Sequence, residues 1–122
     1  YQGESNAGKA QLYGIQLRTM IANWRQDWNQ GEFPFISVQL PSFMAPQKAP
    51  SEGGGWPLIR EQFFRTLQYP NTGMAVTIDI SEHDEIHPKN KQDVGLRLAQ
   101  PRMTSILARS CTTSMYGTGN RP

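Results

Sequence analysis

The sequence predicts an α/β domain in which helices cover a parallel sheet. Three observations carry that expectation. Apolar residues recur at steps of three and four over residues 9–28, two short apolar runs bounded by turn residues read as strands, and a second helical pattern lies between those runs. The resulting order is loop, helix, strand, loop, helix, strand, polar loop, helix, and such alternation implies right-handed crossovers between parallel strands.

The chain opens on a Gly-bracketed loop, Tyr1-Gln2-Gly3-Glu4-Ser5-Asn6-Ala7-Gly8, in which Glu4, Ser5 and Asn6 can bond locally to backbone. Leu17, Met20, Ile21, Trp24 and Trp28 then form one apolar stripe on a helix over 9–28, with the Trp rings packing against the sheet rather than binding sugar. Asn29-Gln30-Gly31 ends it, because Asn and Gly readily take the left-handed conformation after a helix. Phe35 to Leu40, between Pro34 and Pro41, reads as a strand covered on both faces. Residues 42–55 are rich in Pro, Ser and Gly and form a loop where Phe43, Met44 and Trp56 are placed to touch a ligand.

Pro57 suits the first turn of the next helix, with Glu61 complementing its positive end and Ile59, Phe63 and Leu67 as its buried stripe beside Phe64. Tyr69-Pro70-Asn71-Thr72-Gly73 breaks the chain, Met74 to Ile80 reads as the second strand, and Gln92 to Ala99 as a short helix stopped near Pro101.

The totals narrow the function classes. A chain of 122 residues holds one domain, and 37% hydrophobic residues is low enough to suggest an incomplete core. A net charge of +2, with both signs interspersed, marks neither a nucleic-acid partner nor a membrane-binding patch. The single Cys111 excludes an internal disulfide and a cysteine metal cage, and suits a small buried apolar residue. No apolar run is long enough to span a membrane. Because the chain opens on Tyr1 without an initiator Met, the lack of a leader there says nothing about compartment.

The chemistry concentrates in Asp84-Glu85-Ile86-His87-Pro88-Lys89-Asn90-Lys91, past the carboxyl end of the second strand. In acyl transfer an imidazole must be held in one tautomer to take a proton from a nucleophile, and a carboxylate does this by accepting the Nδ1 proton. Asp84, three residues before His87, is the candidate partner. His83 and His87 also have the spacing of two metal ligands on a helix face, but Pro88 pushes His87 out of helical backbone. The plain alternative is a polar loop that happens to hold Asp and His. Three polar loops, Gln2 to Asn6, Gln39 to Phe43 and Asp84 to His87, fall at the carboxyl ends of strands, where such sheets bind ligands.

Two stretches in this order resemble a known family. Tyr1-Gln2-Gly3-Glu4-Ser5-Asn6 and the run from Asp84 through His87, Pro88, Lys91, Val94 and Gly95 to Ala99 are similar to the third and fifth conserved blocks of the sialate O-acetylesterase branch of the SGNH (GDSL) hydrolases. Gly31-Glu32-Phe33-Pro34-Phe35, Gln39-Leu40 and Pro70 to Asp79 add to the likeness, which covers residues 1–99; residues 100–122 diverge.

The resemblance implies a three-layer α/β/α domain with a flavodoxin-like parallel sheet, and a cofactor-free serine esterase that removes acetyl groups from carbohydrates. It implies His87 as general base, Asp84 as its orienting partner and Gln2 as a side-chain donor in the oxyanion hole. It also implies a secreted or periplasmic location, and leaves the sugar open between a sialic acid and an acetylated xylan fragment. The family's Gly-Gln-Ser-Asn nucleophile block and its second block have no counterpart here. The chain is therefore expected to be the C-terminal part of one esterase domain, lacking the N-terminal strands and completed by the missing N-terminal half.

Two alternatives remain from the residues themselves. Gly3-Glu4-Ser5-Asn6-Ala7 approximates a nucleophile elbow, with Ser5 preceding Asp84 and His87 in the α/β-hydrolase order. The other alternative is a catalytically inactive fragment or sugar-binding remnant. A displaced helix around Met103, Ile106 and Leu107 is expected in the tail.

Overall fold

The computed structural model describes residues 1–45, 49 and 54–100. Cys111, Pro101, the displaced helix around Met103 and the middle of the Pro/Ser/Gly loop lie outside the described residues.

A 3-10 helix, Glu4–Lys9, leads into α1 (Ala10–Trp28), followed by β1 (Phe35–Val38), α2 (Gly55–Arg65), a short 3-10 turn (Thr66–Gln68) and β2 (Thr72–Ala75). Residues 91–100 are helical again. The strands pair in parallel, with Phe35 opposite Thr72 and Val38 opposite Ala75, so α2 is the crossover of a β–α–β unit. Parallel pairing and helical cover match the expected α/β class.

α1 ends as its sequence dictates. Asn29 takes a left-handed conformation (φ 49°) and its N–H donates to the Gln26 carbonyl at 3.2 Å. From the last turn, Arg25 Nη2 donates to the carbonyls of Phe33 (3.0 Å) and Pro70 (2.7 Å), joining the segments that enter both strands. Ala10, Tyr13, Leu17 and Ile21 from α1 meet Ile59 and Phe63 from α2 and Leu40 in one core, against which Phe35 and Met74 pack from the sheet. Where the helices approach, a Cβ on Gly14 would collide with the buried Gln62 side chain, so that crossing needs glycine.

Several expected boundaries shift. β1 stops at Val38, yet Leu40 is fully buried beyond it. β2 runs over Thr72–Ala75 rather than Met74 to Ile80, because after Gln39 N–H bonds the Ala75 carbonyl (2.9 Å) the Thr77 hydroxyl takes the Gln39 carbonyl (2.9 Å) and side chain replaces ladder. Val76 and Ile78 are consequently exposed. α2 begins two residues before Pro57, and Glu61 bonds Arg65 one turn on (2.7 Å) instead of facing the helix start. Leu67 is exposed in the 3-10 turn, with Thr66 buried in its place. Trp24 and Trp28 are exposed as well, stacking on each other (5.9 Å, 7°) and, through Trp28, on Phe33 (5.1 Å).

Candidate active site: the histidine loop and the glutamine loop

The chain leaves β2 at Ala75 and carries His87 on irregular backbone before the helical residues 91–100. No helix runs through residues 83–87, so His83 and His87 do not share a helical face. Among the described residues no group of three or more metal-binding side chains comes together. Pro88 is buried behind the loop, while the imidazole is 64% exposed. Lys89 Nζ donates to Glu82 Oε2 at 2.7 Å, cross-tying the loop, and that hydrogen bond, with the charge of Glu82, holds the ammonium above its ordinary pKa.

Gln2 is set by a different device. Gly3 has φ 128°, and a Cβ there would stand 3.0 Å from the Tyr13 ring and 3.2 Å from Ile59, so position 3 requires glycine twice over. The Tyr13 hydroxyl donates to the Gln2 carbonyl at 3.0 Å. Burial first, then the Glu4 charge, pushes the Tyr13 hydroxyl up to about 12, so it remains a donor.

The two loops meet. The Tyr1 hydroxyl donates to the Ile86 carbonyl, and the Tyr1 ring lies 5.9 Å from the His87 imidazole. Glu4 Oε1 stands 3.9 Å from His87 Nε2, and Glu85 Oε1 stands 3.8 Å from Nδ1 while accepting the His87 backbone N–H at 3.2 Å. Both side-chain separations exceed hydrogen-bond length, so neither carboxylate bonds the imidazole directly. Asp84 is exposed, and among the described residues no hydrogen bond or ion pair joins it to His87.

The third polar loop joins from β1. Ser42 N–H donates to Ser81 Oγ (2.9 Å), Ser42 Oγ to the Ile78 carbonyl (2.9 Å) and Met44 N–H to the His83 carbonyl (2.9 Å). Trp56 Nε1 donates to the Pro41 carbonyl at 2.7 Å and its ring lies 5.6 Å from Phe43. The structure thus brings Gln2, His87 and the Phe43 loop to one edge. Ser5 is exposed in the first turn of the 3-10 helix, with no bond to His87 among the described residues. Sequence reasoning missed Tyr1, Glu4 and Glu85 as the groups around the imidazole. For Tyr1 and Glu4 no local signal existed, since more than eighty positions separate them from His87.

A family profile described as "Carbohydrate esterase, sialic acid-specific acetylesterase" matches residues 1–104. The chain is 38% identical to the sialate O-acetylesterase of Mus musculus over 80% of its length and 21% of that protein's. It is 35% identical to that of Homo sapiens over 80% and 22%. It is also similar to the crystal structure of a carbohydrate acetylesterase from Xanthomonas citri, at TM-score 0.75 and 45% identity, over 83% of this chain and 23% of that one. The chain spans about a fifth of the length of the curated relatives it matches. The parallel strands and helical cover are therefore those of a carbohydrate acetylesterase of SGNH type, and the chain belongs to the sialic acid-specific acetylesterase family of carbohydrate esterases.

Proposed function

We propose that this chain supplies the base and part of the oxyanion hole of an enzyme that hydrolyses acetyl esters on carbohydrates. His87 is the general base, Asp84 its orienting carboxylate, and Gln2 an amide donor to the developing oxyanion. The nucleophilic serine comes from a segment outside this chain. Its Oγ attacks the acetyl carbonyl while His87 takes the proton, and the oxyanion receives the Gln2 N–H. Collapse expels the sugar oxygen, which takes the proton back from His87. Water, deprotonated by the same imidazole, then attacks the acetyl carbon left on the serine, and the serine oxygen leaves with that proton as acetate is released.

The observation that carries this reading is the Tyr1 hydroxyl on the Ile86 carbonyl, which brings the glutamine loop beside the histidine loop. The 64% exposure of the imidazole supports a base open to a group from elsewhere. A groove of about 560 Å³ along the β1 edge not paired with β2, lined by Tyr1, Gln2, Leu17, Met20, Ile36 and Phe63, supports the packing of further strands there in the whole protein. By itself the chain is expected to release no acetate beyond the rate of free imidazole. Action on extracellular glycans makes a secreted or periplasmic location part of the same proposal, and the Phe43 loop, with Trp56 beside it on α2, is where the sugar is expected to lie. No described helix is long and apolar enough to cross a membrane.

One observation favours a second reading of the orienting group: Glu85, not Asp84, is the carboxylate nearest Nδ1. Asp84→Asn and Glu85→Gln in the whole protein separate the two, since only loss of the true partner lowers turnover by about 10⁴-fold. Labelling by a serine-directed fluorophosphonate tests the reaction class. A single adduct on a serine outside this chain supports the proposal; an adduct on Ser5 replaces it with the elbow arrangement.

A further inference from the structure

Arg97 stands on the helical residues that follow the histidine loop, and its guanidinium reaches back to the end of β2. Nη1 donates to the Val76 carbonyl at 2.8 Å and to Asp79 Oδ1 at 2.5 Å, and Nη2 donates to Asp79 Oδ2 at 2.7 Å. This is a two-pronged fork with a third anchor on backbone. Val76 is the first residue past β2, so one side chain joins the point where the chain leaves the sheet to the helix on which it returns. His87 rides on the segment between.

We propose that Arg97 is a positioning residue for His87, pinning both roots of the base-bearing loop so that the imidazole stands beside the glutamine loop. The inference rests on His87 being the base. Exposed ion pairs contribute little to global stability, and the Asp79 side chain is 63% exposed. What the fork supplies is geometry. Both terminal guanidinium nitrogens are committed, the backbone carbonyl sets the height of the group, and a loop fixed at its roots has fewer placements for its middle. The hydrogen bond from Arg97 holds the Asp79 carboxyl down at about 2, so the fork keeps its charge well into the acid range. Tyr1 on Ile86 and Lys89 on Glu82 then fix the middle of a loop whose ends Arg97 has set.

The test uses the whole protein that carries this chain, with turnover of p-nitrophenyl acetate expressed per active site titrated by a fluorophosphonate. Arg97→Gln should lower kcat by roughly 10- to 100-fold with KM nearly unchanged, the cost of displacing a catalytic group by about an ångström. The rate constant of fluorophosphonate labelling, which needs the same base, should fall in parallel. Arg97→Lys should recover part of the loss, because an ammonium reaches one partner but cannot fork. Asp79→Asn combined with Arg97→Gln should be no worse than Arg97→Gln alone.

A kcat per titrated site within about twofold of wild type for Arg97→Gln, whatever happens to the melting temperature, overturns the inference. So does a double variant in which the two losses multiply. If Arg97→Gln does not fold, Asp79→Asn, which leaves the bond to Val76, provides the same comparison. Loss of turnover in His87→Ala without loss in Arg97→Gln removes this inference alone, whereas full turnover in His87→Ala removes the site reading beneath it.

Discussion

The Tyr1 hydroxyl donates to the carbonyl of Ile86, the residue before His87, and so ties together two loops that the sequence holds more than eighty positions apart. Removing that hydroxyl while keeping the ring isolates the tie. Tyr1→Phe in the whole protein should lower kcat/KM for an acetyl ester by roughly two- to tenfold, the range expected for one net hydrogen bond. Steady-state kinetics checks it, and an unchanged kcat/KM means the loops are aligned by other contacts.

Gln2, the proposed oxyanion donor, stands on a backbone fixed by Gly3 and by the Tyr13 hydroxyl on its carbonyl. Gln2→Ala should lower kcat by about 100- to 1,000-fold, the usual cost of one oxyanion donor. KM should change little, because the bond strengthens only as charge develops on the carbonyl oxygen. A drop confined to KM would place Gln2 in ground-state binding instead.

Tyr13 predicts an alkaline limit to stability. Its hydroxyl titrates at the ordinary 10.0 when unfolded and is pushed up to about 12 in the fold, by burial and then by Glu4. The folded chain keeps a proton that the unfolded chain has released, so this contribution is complete below pH 10.0 and is lost as pH rises towards 12. Tyr1, raised for the same reasons, adds a slope of the same sign. Urea midpoints of wild type and Tyr13→Phe across that window should converge as pH rises, because the variant lacks one of the two groups.

The contact of α1 with α2 at Gly14 and Gln62 predicts an overpacking penalty. Gly14→Ala should cost about 1–3 kcal/mol, since an added Cβ would stand 2.2 Å from Gln62 Oε1 and force that buried side chain to shift. Gln62→Ala should offset part of that loss in the double variant, as expected for residues in contact. Chemical denaturation of the whole protein reads both.

Much of this was legible in the sequence where a local rule decided it. Asn29 and Gly31 marked the end of α1, Pro34 and Pro41 bracketed β1, and the alternation of helix and strand carried the parallel sheet. The second strand was misplaced because the apolar run Met74 to Ile80 outweighs Thr72 and Gly73 in any periodicity, whereas pairing is decided by the reach of β1 and by the Thr77 hydroxyl. Trp24 lays its ring against Phe35 of β1 (6.0 Å), as the helical spacing suggests, and Trp28 continues the stripe to Phe33, though both rings stay exposed. At the site, the structure brings the Gln-Gly-Glu-Ser-Asn block beside the loop of Asp84 and His87 through Tyr1 and Ile86, while among the described residues no bond joins Asp84 to His87. Tyr1 and Glu4 reach the imidazole only because two distant loops fold together, which no spacing encodes, whereas Glu85 lies two residues from His87 on the same loop.

The most direct measurement is the turnover of an acetylated sugar by the whole protein with His87→Ala. Loss of the general base should reduce kcat by about a million-fold with binding of the sugar retained. Turnover within a few-fold of wild type would contradict the assignment of His87 and, with it, the pairing of the glutamine and histidine loops as one acyl-transfer site.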